Sequence, residues 1–180
     1  EQLENLAAAS LVQQRFKDFA RASSDWFWEA DRDMVITYLS DRLTALVGRP
    51  IVTLLGKNID ELGELREDKE GISLFSTAYR RRTPFRDQLF VMKDVQGNHV
   101  LFHLSGVPIF NSTSGEFEGF RGAGMDVTVR YQVQADADDI RRNLENTLEE
   151  LTNKNHQLDV ASATAENALA TKSEFLAGMS

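Results

Sequence analysis

The chain has 180 residues, 42% hydrophobic and 27% charged, with a net charge of −8 and no cysteine. That composition suits one folded domain with extensions, or two very small domains, and can bury a real core. The acidic balance argues against nonspecific nucleic-acid binding, and the missing thiols exclude disulfides, thiolate nucleophiles, Cys-ligated zinc and iron–sulfur clusters.

In chain order, residues 1–22 read as a helix, with Leu3, Leu6, Leu11, Phe16 and Phe19 among polar residues and no Gly or Pro. Ser23-Ser24-Asp25 supplies a turn. Trp26 to Ala30 and Met34 to Leu39 read as strands around Asp31-Arg32-Asp33, and Asp41 to Val47 as a short helix stopped by Gly48 and Pro50. One further turn is expected near Asn58 to Leu62. Asp68 to Arg81 reads as an amphipathic helix with Ile72, Phe75 and Tyr79 on one face. The run Arg80-Arg81-Arg82 then sits at its end, where cations complement the helix dipole, and reads as solvated.

Three strands follow, Phe85 to Val95, Asn98 to Phe110 and Glu116 to Val127. Their centres, "LFVM" and "VLFHL", are apolar on both faces, so both sides of the sheet need cover. Short helices can cover one side; the N-terminal helix or a second subunit is the expected cover for the other.

Val129 to Ser180 contains no Pro and a single Gly, Gly178. Leu144, Leu151, Leu158 and Ala165 recur at heptad spacing, and Leu148, Asn155, Ser162, Leu169 and Leu176 form the companion row. An a-position Asn155 costs stability but pairs with its twin in a parallel two-stranded coil, fixing register. The expectation is a parallel homodimer; the alternative is one long helix folded back on its own domain.

Several strings carry a family resemblance. "SSDWFWEAD" at 23–31, "LSGVPIFN" at 104–111 and "GFRGAGMDVT" at 119–128 resemble the first, penultimate and closing strands of bacterial sensory PAS domains. The resemblance spans roughly residues 24–128. It implies an α+β PAS fold: a five-stranded antiparallel sheet with short helices, between an N-terminal helix (1–23) and a long C-terminal coiled-coil helix (129–180). The closing Asp-x-Thr, here Asp126 and Thr128, marks the hand-over to the output helix. Thr128 can cap that helix, and Asp126 adds negative charge at its positive end. Gly119, Gly122 and Gly124 permit close packing in the last strand; they lie within a strand, so they are no dinucleotide fingerprint.

The terminal "KSEFLAGMS" (172–180) is similar to the approach to the dimerisation and phosphoacceptor helix of sensor histidine kinases, where the phosphoacceptor His follows directly. The resemblance implies the sensory, signal-transmitting part of a two-component kinase, ending just short of its chemistry. A kinase core and a response regulator would then be the downstream partners. The alternative is a ligand-free PAS module that dimerises and recruits a partner regulator.

No acid–base or nucleophile constellation can be drawn, so no enzyme activity is expected of these residues. His99 and His103 share a strand face, but without a third ligand they read as a pH-sensitive interface and not as a metal site. Flavin sensors of this fold use a Cys where "GKNI" (56–59) has Ile59, and haem relatives take a His from the helix that Asp68 to Arg81 leaves His-free. Alignment to the family at "LSGVP" implies that Phe90, Met92, Phe102 and Leu104 are the inward positions of the central strands, and all four are apolar. They suit a hydrophobic small molecule or a filled core, and no flavin, haem or metal is expected. No stretch approaches the ~20 apolar residues of a membrane span, and no signal-peptide order opens the chain. The piece therefore reads as cytoplasmic, without nucleic-acid or membrane contact of its own, although a parent chain could be anchored upstream of Glu1.

Overall fold

A computed structural model describes residues 2–22, 25–68 and 70–179, with the side chains at positions 4, 9, 13, 16, 17, 20 and 21 left outside that description. The expected turn at Ser23-Ser24, the Phe16 contribution to the first helix and the terminal residues Glu1 and Ser180 fall outside the described residues. The chain divides into two compact units, Glu1–Tyr131 and Gln132–Ser180.

In the first unit, helix α1 (Gln2–Ala22) precedes strands β1 (Trp26–Asp31) and β2 (Ile36–Leu39). Helices α2 (Arg42–Val47) and α3 (Ile59–Leu62), strand β3 (Gly63–Leu65) and helix α4 (Leu74–Arg81) follow. Strands β4 (Phe85–Lys93), β5 (His99–Phe110) and β6 (Phe117–Asp126) complete the sheet, whose order is β2-β1-β6-β5-β4-β3 with every neighbouring pair antiparallel. Helix α5 (Thr128–Gly178) begins in this unit and forms the second.

The sheet thus has six strands where five were expected. The additional one is β3, short and without alternation, which pairs Gly63 with Met92 and Leu65 with Phe90. The register of the other strands places one set of side chains on a common inner face. Trp28 lies opposite Gly122, Leu104 opposite Gly124, and Phe90 opposite Phe102. These residues bury against Leu43, Val47, Ile59, Leu62, Phe75 and Ala78 of the short helices in one core. Each fully buried large apolar side chain contributes roughly 1.5–3 kcal/mol, so this layer of contacts is the main apolar stabilisation of the sheet and its short helices. Aromatic edges add direction to the packing: Trp26 meets Phe102 at 5.2 Å and Phe75 meets Phe85 at 5.5 Å, both near-perpendicular.

Two helical expectations are corrected. The segment expected as a helix from Asp68 is helical only from Leu74. The Asp68 carboxylate accepts from the N–H groups of Glu70 and Ile72, both at 2.9 Å, and Gly71 takes φ 75°. An Asp side chain that satisfies the local backbone competes with the helix. Ser73 then caps α4 by accepting from Ser76 N–H at 3.1 Å, and Ile72 is exposed.

The other correction concerns α1. Its Leu3, Leu6, Leu11 and Phe19 are exposed, so these side chains do not cover the sheet.

The end of α4 is also more than a solvated cation cluster. Arg82, left-handed at φ 55°, lays its guanidinium 3.8 Å above the Phe117 ring and 4.6 Å from that of Tyr79.

Candidate functional site

The residues expected to pass a signal lie where the sheet becomes α5. The closing strand ends at Asp126 and the helix begins at Thr128, leaving only Val127 between them. Val127 is buried, and its N–H donates to the Leu101 carbonyl of β5 at 2.9 Å. The Thr128 hydroxyl accepts from Leu101 N–H at 2.9 Å. Consecutive residues therefore continue the sheet's hydrogen bonding onto the first residue of the helix.

These bonds divide the two roles differently from the sequence expectation. Thr128 spends its hydroxyl on β5 and not on a free N–H of its own helix. The Asp126 carboxylate supplies that acceptor, taking Thr128 N–H at 2.9 Å. One of the helix's open N–H groups is satisfied in this way, by a negative charge that the dipole favours. One turn on, Tyr131 N–H closes the first helical bond onto the Val127 carbonyl at 3.0 Å. The Tyr131 hydroxyl reaches back to His103 of β5, 3.1 Å from its Nε2. Beyond position 131, α5 carries Leu144, Leu148, Leu151, Leu158, Leu169 and Leu176 exposed along its length, with Asn155 exposed among them.

The four inward residues Phe90, Met92, Phe102 and Leu104 are all on the inner face and at most 1% exposed. Ile59 is buried in the same core at the start of α3. A fifth inward residue, Gln88, was missed by the sequence reading, although it stands two before Phe90 on the same strand face. It is 2% exposed, and its amide is fully engaged. Oε1 accepts from Phe75 N–H at 3.0 Å and the Ser73 hydroxyl at 3.3 Å; Nε2 donates to the carbonyls of Arg66 at 2.6 Å and Leu89 at 3.0 Å. Gln88 thereby ties α4 and the loop that leaves β3 at Arg66 to β4. The three glycines of the last strand also have local causes: a Cβ on Gly124 would enter the Trp26 ring, and one on Gly119 or Gly122 would meet the backbone of Ala30 or Ser105 on the neighbouring strand.

The opposite face of the sheet holds an open groove of about 630 Å3 over Phe27, Tyr38, Ser105, Val107 and Ala123, bordered by Asp87 and by the Glu29–Arg121 pair at 3.5 Å. Among the described residues, no group of three or more His, Asp or Glu side chains is placed to hold a metal, and no helix is long and apolar enough to cross a membrane.

Comparison with known proteins bears on this arrangement at two levels. No curated protein matches the chain. Among solved structures, an RNA-binding light-oxygen-voltage receptor superposes with a TM-score of 0.59 at 19% identity, over 74% of this chain and 38% of that one. The chain therefore spans well under half of that receptor's length, and at such identity the likeness concerns the fold alone. The light-state dimer of the fungal blue-light photoreceptor Vivid aligns at 21% identity and TM-score 0.48, over 57% of this chain and 77% of that one. The PAS-B domain of Drosophila melanogaster Cycle, with bound ethylene glycol, aligns at 10% and 0.46, over 56% of this chain and 98% of that one. A family model described as PAS domain matches residues 24–129, more than half of the chain and the whole of the sheet. The chain belongs to the PAS domain family.

Proposed function

We propose that this chain is the sensory and signal-transmitting segment of a sensor histidine kinase, working as a parallel homodimer through α5. The observation that carries this reading is the junction at Asp126–Thr128. It binds the closing strand and β5 to the first turn of a 51-residue helix whose leucine row stays exposed. A shift in the sheet then displaces Leu101 and, through one backbone bond to Val127 and the Thr128 hydroxyl, the start of the helix. Pairing of the leucine rows, with Asn155 against its twin, would hold two such helices in register. Changing the junction would bias a coil that has two packings of similar energy. The "KSEFLAGMS" string supports a kinase as the output, with its kinase core and a response regulator as later partners. The apolar inner quartet would then face either a hydrophobic small molecule or its own core neighbours.

The test is to join the chain in frame after Ser180 to the dimerisation and catalytic core of a histidine kinase. Autophosphorylation should change at least severalfold in Asp126→Ala and Thr128→Val. If it stays at the level of the unmodified fusion in both, the junction does not carry output and the reading fails.

A second reading, a dimerisation or recruitment module without a ligand, is favoured by the open groove over Phe27, Tyr38 and Val107. It predicts that the isolated chain captures a partner regulator through that face while the junction variants leave binding unchanged.

A further inference from the structure

His103 stands on the outer face of β5, between Leu89 of β4 and Met125 of β6, both uncharged. Its ring is only 17% exposed. Each nitrogen has a different partner. Nδ1 lies 3.6 Å from Oδ1 of Asp87 on β4, and Nε2 lies 3.1 Å from the hydroxyl of Tyr131 on α5. The imidazole and phenol rings meet edge-on, with centroids 5.7 Å apart. Asp87 is held in a left-handed conformation, φ 56°, at a register shift of β4, where its N–H donates to the Ser105 hydroxyl at 3.3 Å. The other charged groups on the strands beside β5 and in the first turn of α5 are Arg86 and Lys93 on β4, Glu118, Arg121 and Asp126 on β6, and Arg130 on α5, with Glu118 taken up by the Asn111 amide at 2.8 Å. Arg121 pairs with Glu29, and Asp126 is occupied by Thr128 N–H. Asp87 is therefore the charge that the ring contacts.

We infer that His103 is a proton-operated tie between the sheet and the first turn of α5. Neutral imidazole has one N–H and one bare nitrogen. With the proton on Nδ1, towards Asp87, Nε2 accepts from the Tyr131 hydroxyl and the tie to the helix is a neutral hydrogen bond. When the ring gains a proton, both nitrogens donate. Nδ1–H then meets the Asp87 carboxylate as an ion pair, while Nε2–H donates to the Tyr131 oxygen, whose own hydrogen turns outward. The bond to Tyr131 becomes charge-assisted, roughly twice the strength of a neutral one, while Asp87, at 3.6 Å, adds a charge attraction and no hydrogen bond. The tie is tighter with the ring protonated than with it neutral. Asp87 is largely exposed, so solvent screens its share and the change is modest. His99 and His156 have no such partners among the described hydrogen bonds and ion pairs.

The inference extends the reading of α5 as the output element, but its test reads the tie itself and needs no kinase. Amide hydrogen exchange on the whole chain, corrected for intrinsic rates, is compared at about pH 8 and about pH 5. Protection at the Tyr131 amide should rise about two- to fivefold on acidification. The rise should vanish in His103→Gln and in Tyr131→Phe and persist in His99→Gln. Tyr131 is an exposed residue and Tyr131→Phe removes only its hydroxyl, so it decides the matter even if His103→Gln folds poorly. An equal rise in wild type and Tyr131→Phe, or no rise in wild type, overturns the inference. Loss of the kinase response in the fusion with this rise intact would instead count against the proposed function.

Discussion

The Thr128 hydroxyl accepts the Leu101 backbone N–H at 2.9 Å, a side chain at the first residue of a helix completing the edge of a strand. Replacing Thr128 by Val keeps the shape and removes the acceptor. Leu101 N–H then lies partly buried without its partner, at a cost of about 1–3 kcal/mol. Urea unfolding should show that loss, and Thr128→Ser should restore most of it. Asp126→Ala removes a different bond, to Thr128 N–H, and should fray the first turn of α5 by about 1 kcal/mol. Its effect should appear in amide exchange of that turn with little change in the unfolding midpoint. Equal loss of global stability in both variants would mean that the two residues do not have separate roles.

Gln88 is the buried polar residue on which the packing of α4 depends. Gln88→Leu matches its volume but strands Phe75 N–H and the Arg66 carbonyl, which now meet the amide at 3.0 and 2.6 Å. Leaving the buried Phe75 N–H and the part-buried Arg66 carbonyl unpaired should cost about 2–3 kcal/mol. A denaturant midpoint within error of wild type would show that water or a rearranged loop replaces the amide.

The β4–β5 turn should respond to acid. The Asp94 carboxyl is held below the usual carboxylate range chiefly by the Asn98 side-chain amide, with backbone N–H groups of Asn98, Gln96 and Gly97 assisting and partial burial opposing. A group whose folded value is depressed stabilises above its unfolded value and loses that contribution as pH falls through the folded one. Protection of the Gln96 and Asn98 amides, which donate to Asp94 at 2.8 Å, should therefore decline below about pH 4. Asp94→Asn should flatten the decline. A pH-independent turn in wild type would rule out the carboxylate as its anchor.

Part of this was legible in the sequence. The family resemblance around "LSGVPIFN" placed Phe90, Met92, Phe102 and Leu104 inward, where strands apolar on both faces give no alternation to read, and the absence of breakers after Val129 gave α5. Three features were not legible, each for a physical reason. Strand β3 has no alternating pattern of its own and exists because β4 offers it an edge. The start of α4 moved to Leu74 because the Asp68 side chain closes a local loop, which a count of apolar spacings does not weigh. The exchange of roles between Asp126 and Thr128 depends on Leu101, distant in sequence and adjacent only across the sheet. Gln88 could have been found: its spacing from Phe90 placed a polar residue on an otherwise apolar face.

The central claim is that α5 pairs in parallel with a second copy along its leucine row. The chain has no cysteine, so a single introduced thiol reports on one position. Leu158→Cys places it on the row shared with Leu144 and Leu151, where each helix of a parallel pair meets its own counterpart. At tens of micromolar, an order-of-magnitude choice because pairing follows mass action, mild oxidation should convert most of the protein to a disulfide-linked dimer. Glu149→Cys, on the outward side, should cross-link slowly. Comparable slow cross-linking at both positions, with the chain sedimenting as a monomer or as an antiparallel pair, would contradict the account.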